Sequence, residues 1–258
     1  MTEPATFTNR PPTSQAGQTL LSVHGLSKRF GGLQAVKDLT FTVGQGEIVA
    51  LIGPNGAGKT TAFALISGFL TPDSGVMRFA GHDLRGRPPH EVNALGIART
   101  FQIMRPFPRL SVARNVMIAT LGRHADAREA ERRARAVLEE LDLGAKADLP
   151  ASALTLAERK RLELARALGT EPTLLLLDEV MSGLTEAETE RIVELVRAIN
   201  RRGVAILLIE HVMRAVMSLA QRIIVLNYGE RIAEGRPDVV ANDPRVIEAY
   251  LGDEEIRA

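Results

Sequence analysis

The stretch Gly53-Pro-Asn-Gly-Ala-Gly-Lys-Thr-Thr61 decides the fold, because it matches the phosphate-binding pattern G-x-x-x-x-G-K-[ST]. Its small residues let backbone N–H groups approach phosphate oxygens, and Lys59 can place its ammonium on the β- and γ-phosphates. The helix expected over about 59–67 points its positive end at the anion, and Thr60 can reach Mg²⁺. We therefore expect this loop to hold a triphosphate, with contacts from Gly53, Pro54, Asn55, Gly56, Ala57, Gly58, Lys59, Thr60 and Thr61.

Apolar runs of strand length flank the loop and recur along the chain. Continuous runs of this kind suit strands that are buried on both faces of a parallel sheet. Between them, Thr185 and Glu188 form a capping-box pattern that begins a helix, and Gly203 fits its end. Strand, helix and strand in this order predict an α/β fold. The runs are 48–52, 173–177, 204–209 and 223–226.

Two regions do not follow this alternation of apolar strands and helices. Residues 21–47 alternate apolar and polar side chains around Gly31-Gly32, which predicts an antiparallel hairpin. Residues from about 84 to 165 show helix patterns without a convincing strand, which predicts a helical insertion. We expect a disordered tail over 1–20, one domain over 21–251 and a short tail over 252–258.

Two acids, Asp178 and Glu179, directly follow the apolar run 173–177. A carboxylate at Asp178 can hold Mg²⁺ directly or through water. Glu179 can accept a hydrogen bond from an attacking water as a general base. Together with the loop, these acids predict nucleotide hydrolysis.

Composition excludes several other classes. The chain has 258 residues, no cysteine, no tryptophan, two tyrosines and a net charge of +1. These counts argue against a disulfide scaffold, a thiolate metal site and an aromatic surface that stacks on bases. No apolar stretch approaches the roughly 20 residues of a membrane span, and the first residues lack a signal-peptide core. We expect a cytoplasmic protein that crosses no membrane by itself.

With these motifs in order, the chain resembles the ATP-binding cassette (ABC) ATPases over roughly 21–251. The resemblance implies a P-loop NTPase with a mostly parallel sheet core, an N-terminal antiparallel β subdomain and a helical insertion. It implies ATP as nucleotide, with Phe30 stacked on adenine. Gln102, in the segment Arg99-Thr-Phe-Gln102, would link Mg²⁺ and the attacking water to the helical subdomain. His211 would bind the γ-phosphate and orient Glu179. The resemblance thus implies four catalytic residues, Lys59, Gln102, Glu179 and His211, and three metal-binding residues, Thr60, Gln102 and Asp178.

The family signature, usually Leu-Ser-Gly-Gly-Gln, is altered here. Counting back from Leu164-Ala-Arg-Ala-Leu168 places it at Leu154-Thr155-Leu156-Ala157-Glu158. Thr155 keeps a hydroxyl for a γ-phosphate oxygen, but both glycines are absent. If either glycine position requires positive φ, Leu156 or Ala157 is strained there. Leu156 also adds bulk beside a phosphate, and Glu158 adds negative charge.

The altered signature bears on the partner cassette. In the family, two cassettes face head to tail, and each signature completes the ATP site of the other. We hypothesise that this chain pairs with a different cassette that has an ordinary signature, although a homodimer with a competent variant signature is the rival interpretation. Val180 and Thr185, where the family often has Pro and Asp or Asn, are further departures.

Other segments indicate the transport system. Residues 96–102, 110–116, 209–213 and 243–252 look like those of importer ATPases for branched-chain amino acids, and urea and amide importers share them. The resemblance implies permease subunits in the membrane, indirectly a substrate-binding protein, and a location on the inner face of the cell membrane. An exporter ATPase and a non-transport soluble ABC protein are the alternatives.

One segment is locally basic. Residues 85–114 hold six arginines against Glu91, but no base-stacking aromatics accompany them, so we expect no nucleic-acid partner. The side chains of Phe101, Ile103, Met104 and Phe107 offer apolar contacts to a permease helix or belong to the local core.

Overall fold

The computed structural model describes residues 18–101 and 106–255. The described strands are β1 (Thr19–Phe30), β2 (Leu33–Gly44), β3 (Ile48–Ile52), β4 (Ser74–Phe79), β5 (His82–Asp83), β6 (Ile97–Arg99), β7 (Leu174–Asp178), β8 (Ala205–Ile209), β9 (Arg222–Asn227) and β10 (Glu230–Gly235). The described α-helices are α1 (Lys59–Ile66), α2 (Pro89–Leu95), α3 (Val112–Thr120), α4 (Ala127–Glu140), α5 (Leu156–Leu168), α6 (Glu186–Arg201), α7 (Met213–Leu219), α8 (Pro237–Val240) and α9 (Pro244–Glu255).

A six-stranded sheet forms the centre of the molecule. Its order is β10-β9-β3-β8-β7-β6, and every neighbouring pair is parallel except β9 with β10. All residues of β3, β7 and β8 are buried, because the sheet is covered on both faces. The four apolar runs thus became strands of one parallel sheet, as predicted.

A second sheet is antiparallel and has the order β2-β1-β4-β5. The β1–β2 hairpin turns at Gly31-Gly32, as the alternating pattern predicted. Helix α1 lies between the two sheets, where Phe63 and Ile66 are fully buried in one cluster with Phe79 and Leu51. The helix that follows the phosphate-binding loop is therefore held on both sides by apolar packing.

The predicted helical insertion needs a correction, because residues 84–165 contain a strand. β6 lies at the edge of the six-stranded sheet and pairs with β7 from Ile97↔Leu174 to Arg99↔Leu176. Three residues that end in arginine are too short for a pattern of apolar periodicity to reveal. The helical arm proper is formed by α3, α4 and α5, and it begins after β6 and ends at Leu168 rather than at 165.

Residues at the inner ends of both predicted tails belong to regular elements. β1 begins at Thr19, so residues 19 and 20 belong to the antiparallel sheet, while 1–17 lie outside the described residues. α9 continues through 252 to Glu255, so the predicted C-terminal tail is largely helix. Across 18–101 and 106–255, no helix is both long and apolar enough to span a bilayer.

Candidate functional site

The phosphate-binding loop connects β3 to α1 at the carboxyl edge of the parallel sheet. Gly53 has a φ of 147°, and a Cβ there would lie 2.1 Å from the carbonyl oxygen of Leu226. Gly58, which caps α1, has a φ of 100°, and its Cβ would lie 2.2 Å from the carbonyl oxygen of Ala35. These glycines are therefore required by backbone conformation and by close packing, in addition to the predicted approach to phosphate.

Lys59 points into this loop. Its side chain is buried, and Nζ donates hydrogen bonds to the carbonyls of Gly53 at 2.7 Å and Pro54 at 2.8 Å. The neighbouring Thr60 is exposed at the first turn of α1. The ammonium and the hydroxyl thus lie at the positive end of one helix, as an anion site requires.

Asp178 ends β7 at the same carboxyl edge of the sheet, two strands from β3, and is 2% exposed. One carboxylate oxygen, Oδ2, accepts a hydrogen bond from Arg99 at 2.8 Å, and the backbone N–H donates to Thr100 Oγ1 at 3.0 Å. The other oxygen, Oδ1, is buried and has no hydrogen-bond partner among residues 18–101 and 106–250. A buried acceptor without a donor is rare and suits a water bound to Mg²⁺, because Mg²⁺ keeps several waters and uses few carboxylates.

Arg99 contacts the Asp178 carboxylate, and the sequence predicted no role for this residue. Besides Asp178, its guanidinium donates to Ser67 Oγ at 3.2 Å and lies 5.4 Å from the ring centroid of Phe101. Phe101 in turn makes an edge contact with Phe69, with ring centroids 5.5 Å apart. The only sequence signal was its place three residues before Gln102 in the segment Arg99-Thr-Phe-Gln102.

Glu179 and His211 meet, as the resemblance implied. His211 Nε2 lies 2.9 Å from Glu179 Oε1, and the two side chains are 45% and 15% exposed. The Glu179 backbone has a φ of 51°, in the left-handed region, and its N–H donates to the carbonyl of Ile209 at 2.9 Å. A strained backbone conformation at a non-glycine residue is typical of functional sites, where surrounding contacts enforce it.

Glu210 was not predicted to be functional. It is 1% exposed, and burial raises its pKa to about 7. Its Oε1 accepts a hydrogen bond from the backbone N–H of Met181 at 2.9 Å. The only sequence signal was its position between the apolar run 204–209 and His211.

Phe30 lies at the end of the β1–β2 hairpin and is 46% exposed. Lys28 Nζ lies 5.8 Å from the centroid of its ring. This exposure means that the ring is not a buried residue of the hairpin core. It is accessible to a planar ligand, as adenine stacking requires.

The altered signature forms the start of a regular helix. Thr155 is the N-cap of α5 and, with Glu158, makes a complete capping box. Neither Leu156 nor Ala157 has positive φ, because both lie in the first turn of α5. The conditional expectation of strain therefore does not apply, and Leu154 is buried just before the cap.

The direction of Glu158 is also settled. Its Oε1 lies 2.5 Å from Lys146 Nζ, and this ion pair with hydrogen bond lowers the pKa of the carboxyl. Leu156 is 43% exposed, and its Cδ2 would lie 3.4 Å from a Cβ on Gly183. The charge of Glu158 is therefore balanced by a lysine of the same chain. Of the two changes in the signature, the bulk of Leu156 is the one that is exposed at the surface.

The segment of Gln102 lies outside the described residues, together with Ile103, Met104 and Arg105. On its two sides, Phe101 is 42% exposed and Phe107 is 46% exposed. These two rings are therefore not part of the buried core, which favours the contact role over local packing.

Comparisons with known proteins agree with this geometry. The family model for ABC transporters matches residues 36–182, and a model for branched-chain amino acid ATP-binding cassette transporters matches 230–256. The high-affinity branched-chain amino acid transport ATP-binding protein LivG of Escherichia coli K12 is 40% identical over 252 residues, covering 92% of this chain and 99% of the relative. BraF of Pseudomonas aeruginosa, with the same description, is 38% identical over 251 residues, covering 91% and 98%.

Solved structures show the same similarity. The ADP conformation of MJ1267, an ATP-binding cassette of an ABC transporter, superposes with a TM-score of 0.84 at 30% identity, covering 92% of this chain and 100% of that one. A nucleotide-free ATP-binding cassette from an ABC transporter gives a TM-score of 0.83 at 29% identity, covering 90% and 99%.

Proposed function

The chain belongs to the ABC transporter ATPases, and we propose that it powers the import of branched-chain amino acids or related small polar solutes through partner membrane subunits. The observation that supports this proposal best is the similarity to LivG, at 40% identity over 92% of the chain. The match of residues 230–256 to the branched-chain amino acid model adds a feature of one branch of the family.

ATP is the substrate of the site, and the described residues can bind it from base to γ-phosphate. Phe30 offers its exposed ring to adenine. Lys59 already has its ammonium inside the loop, so it exchanges two carbonyl contacts for phosphate oxygens without moving far. The N-terminal N–H groups of α1 point at the same oxygens.

Of the described residues, Thr60 and Asp178 fit Mg²⁺, and the resemblance adds Gln102, which lies outside the described residues. The buried Oδ1 of Asp178 supports this assignment, because this acceptor has no hydrogen-bond partner among residues 18–101 and 106–250. When bound, Mg²⁺ neutralises charge on the β- and γ-phosphates.

Hydrolysis needs a water placed in line with the γ-phosphorus. Glu179 accepts a proton from this water while the new P–O bond forms and the bond to ADP breaks. His211, at 2.9 Å from Glu179, orients the carboxylate and stabilises charge on the transferring phosphoryl group together with Lys59. Loss of the γ-phosphate then removes the charge that holds two cassettes together.

The second cassette is proposed to be a different chain. A partner's nucleotide would meet the N-terminus of α5, where Thr155 keeps a hydroxyl but Leu156 stands exposed in place of a glycine. The bulk of Leu156 supports a pair of unequal ATP sites: the site on this chain is completed by the partner's ordinary signature, and the site on the partner is weakened by the altered signature. Exposed Phe101 and Phe107 support docking of the permeases, which would hold this chain at the inner face of the membrane.

Solute uptake tests the function. A strain that lacks this chain should lose most uptake of radiolabelled leucine, and the wild-type gene should restore it. Lys59→Met should fail to restore uptake, since the loop loses its phosphate-binding ammonium, whereas the exposed Lys37→Met should succeed. Unchanged leucine, isoleucine and valine uptake in the deletion strain would contradict the proposed solutes, and a change in efflux alone would favour an exporter.

A further inference from the structure

Lys160 is a buried cation behind the hydrolytic carboxylate. It is 5% exposed on α5, and its Nζ donates a hydrogen bond to the backbone carbonyl of Glu179 at 2.9 Å. A lysine is almost never fully buried unless it is paired, because its charge loses solvation. An apolar side chain of similar volume would fill this position at lower cost, so the ammonium itself needs an explanation.

Acidic side chains surround this ammonium from three elements. Burial lowers the pKa of Lys160, and the charges of Glu210, Glu179, Asp178 and Glu163 oppose that shift. Of these, Glu163 lies on α5 itself and pairs with Arg166 at 2.6 Å. The remaining three belong to the ends of β7 and β8, which form the hydrolytic edge of the sheet.

The turn that begins at Glu179 is fixed at several atoms. Its N–H donates to Ile209, its carbonyl accepts from Lys160, and two residues later the N–H of Met181 donates to Glu210. The left-handed φ of 51° at Glu179 is unfavourable for a non-glycine residue and persists only where contacts enforce it. Lys160 supplies the one of these contacts that comes from the helical arm.

Lys160 also shares a rigid element with the altered signature. Thr155 is the N-cap of α5, five residues before Lys160, which is about 7.5 Å along a helix axis. A displacement of the N-terminus of α5 therefore moves the ammonium against the Glu179 carbonyl. The helix that faces the partner's nucleotide is in this way joined directly to the backbone of the residue that activates water.

We propose that Lys160 is a positioning residue, which holds the Glu179 turn in its hydrolytic conformation and transmits movement of the signature end of α5 to that turn. This inference rests on the proposed ATPase function. It assigns Lys160 no contact with ATP, so nucleotide affinity at this chain's own loop should not depend on it.

Lys160→Met tests the proposal in the assembled transporter, because methionine keeps the volume of the stem and removes the donor. Its kcat should fall by about tenfold or more, since misplacement by the order of 1 Å can cost about 10²-fold. The Kd for ATP should stay within about twofold of wild type, and amide exchange of residues 179–182 should become faster. Lys160→Arg, which keeps a cationic donor, should recover most of the lost turnover.

The outcomes separate the two claims. Wild-type kcat and unchanged exchange at 179–182 in Lys160→Met would overturn the positioning role. A kcat that falls equally in Lys160→Arg would also overturn it, because charge and donor are then not what matters. If Lys160→Met does not fold, Lys160→Leu, which also lacks a donor, carries the same comparison, and Lys37→Met controls for loss of an exposed lysine. A wild-type complex that hydrolyses no ATP would contradict the proposed function itself.

Discussion

Replacing Glu210 with glutamine should change how stability depends on pH. Burial raises the pKa of Glu210 from 4.5 to about 7, so the folded protein binds this proton more tightly than the unfolded chain does. The free energy of unfolding therefore falls as the pH rises from about 4.5 to 7 and stays low above that window. At about 1.4 kcal/mol for each pKa unit, the ionised carboxyl costs about 3 kcal/mol at pH 8 and less than about 1 kcal/mol at pH 5.

Glu210→Gln removes this ionisation and keeps an oxygen that can accept from the Met181 N–H. Urea unfolding at pH 5, 6, 7 and 8 should show the variant gaining about 2–3 kcal/mol on wild type between pH 5 and pH 8. Glu248→Gln, at an exposed position on α9, should follow wild type at every pH. Parallel curves for wild type and Glu210→Gln would refute the reasoning, since they would mean that Glu210 titrates alike in both states.

Three further changes test the site and its supports. Gly53→Ala should lower the free energy of unfolding by at least about 2 kcal/mol, because the added Cβ meets the Leu226 carbonyl. Gly56→Ala, where a Cβ would meet open space, should lower it by only about 1 kcal/mol, and similar urea midpoints for the two variants would contradict this reasoning. Phe30→Ala should raise the Kd for ATP by about tenfold while Phe30→Tyr keeps it, and equal affinities would exclude adenine stacking. Thr155→Ala should lower the free energy of unfolding by about 1 kcal/mol, because the capping box of α5 is lost. An unchanged thermal unfolding midpoint would contradict this.

The parts of the fold that sequence could predict are those with strong local patterns. Three features depend mainly on residues that are neighbours in sequence, and the structure contains all three. They are the loop ending in Lys59, the apolar runs in β3, β7 and β8, and the capping box at Thr185. β6 was missed because its three residues take their conformation from β7. Pairing across a sheet is a tertiary effect that overrides weak local preference.

The site shows the same division. Asp178 and Glu179 could be placed because they directly follow an apolar run, and His211 because it lies two residues after the apolar run that became β8. The contacts of Arg99, Lys160 and Glu210 join residues that are far apart in the chain, so no spacing of residues in the sequence could predict them. At the altered signature, the sequence indicated the lost glycines correctly, but only the structure shows that helix α5 begins there and that no residue is strained.

The most direct test of the hydrolytic role is ATP binding and turnover by Glu179→Gln within the assembled transporter. Glutamine keeps the size of the side chain and a hydrogen bond to His211, but it cannot take a proton from water. The account predicts an unchanged Kd for ATP and turnover slowed by at least ~10²-fold. Turnover equal to wild type, with ATP bound, would remove Glu179 from the role of general base.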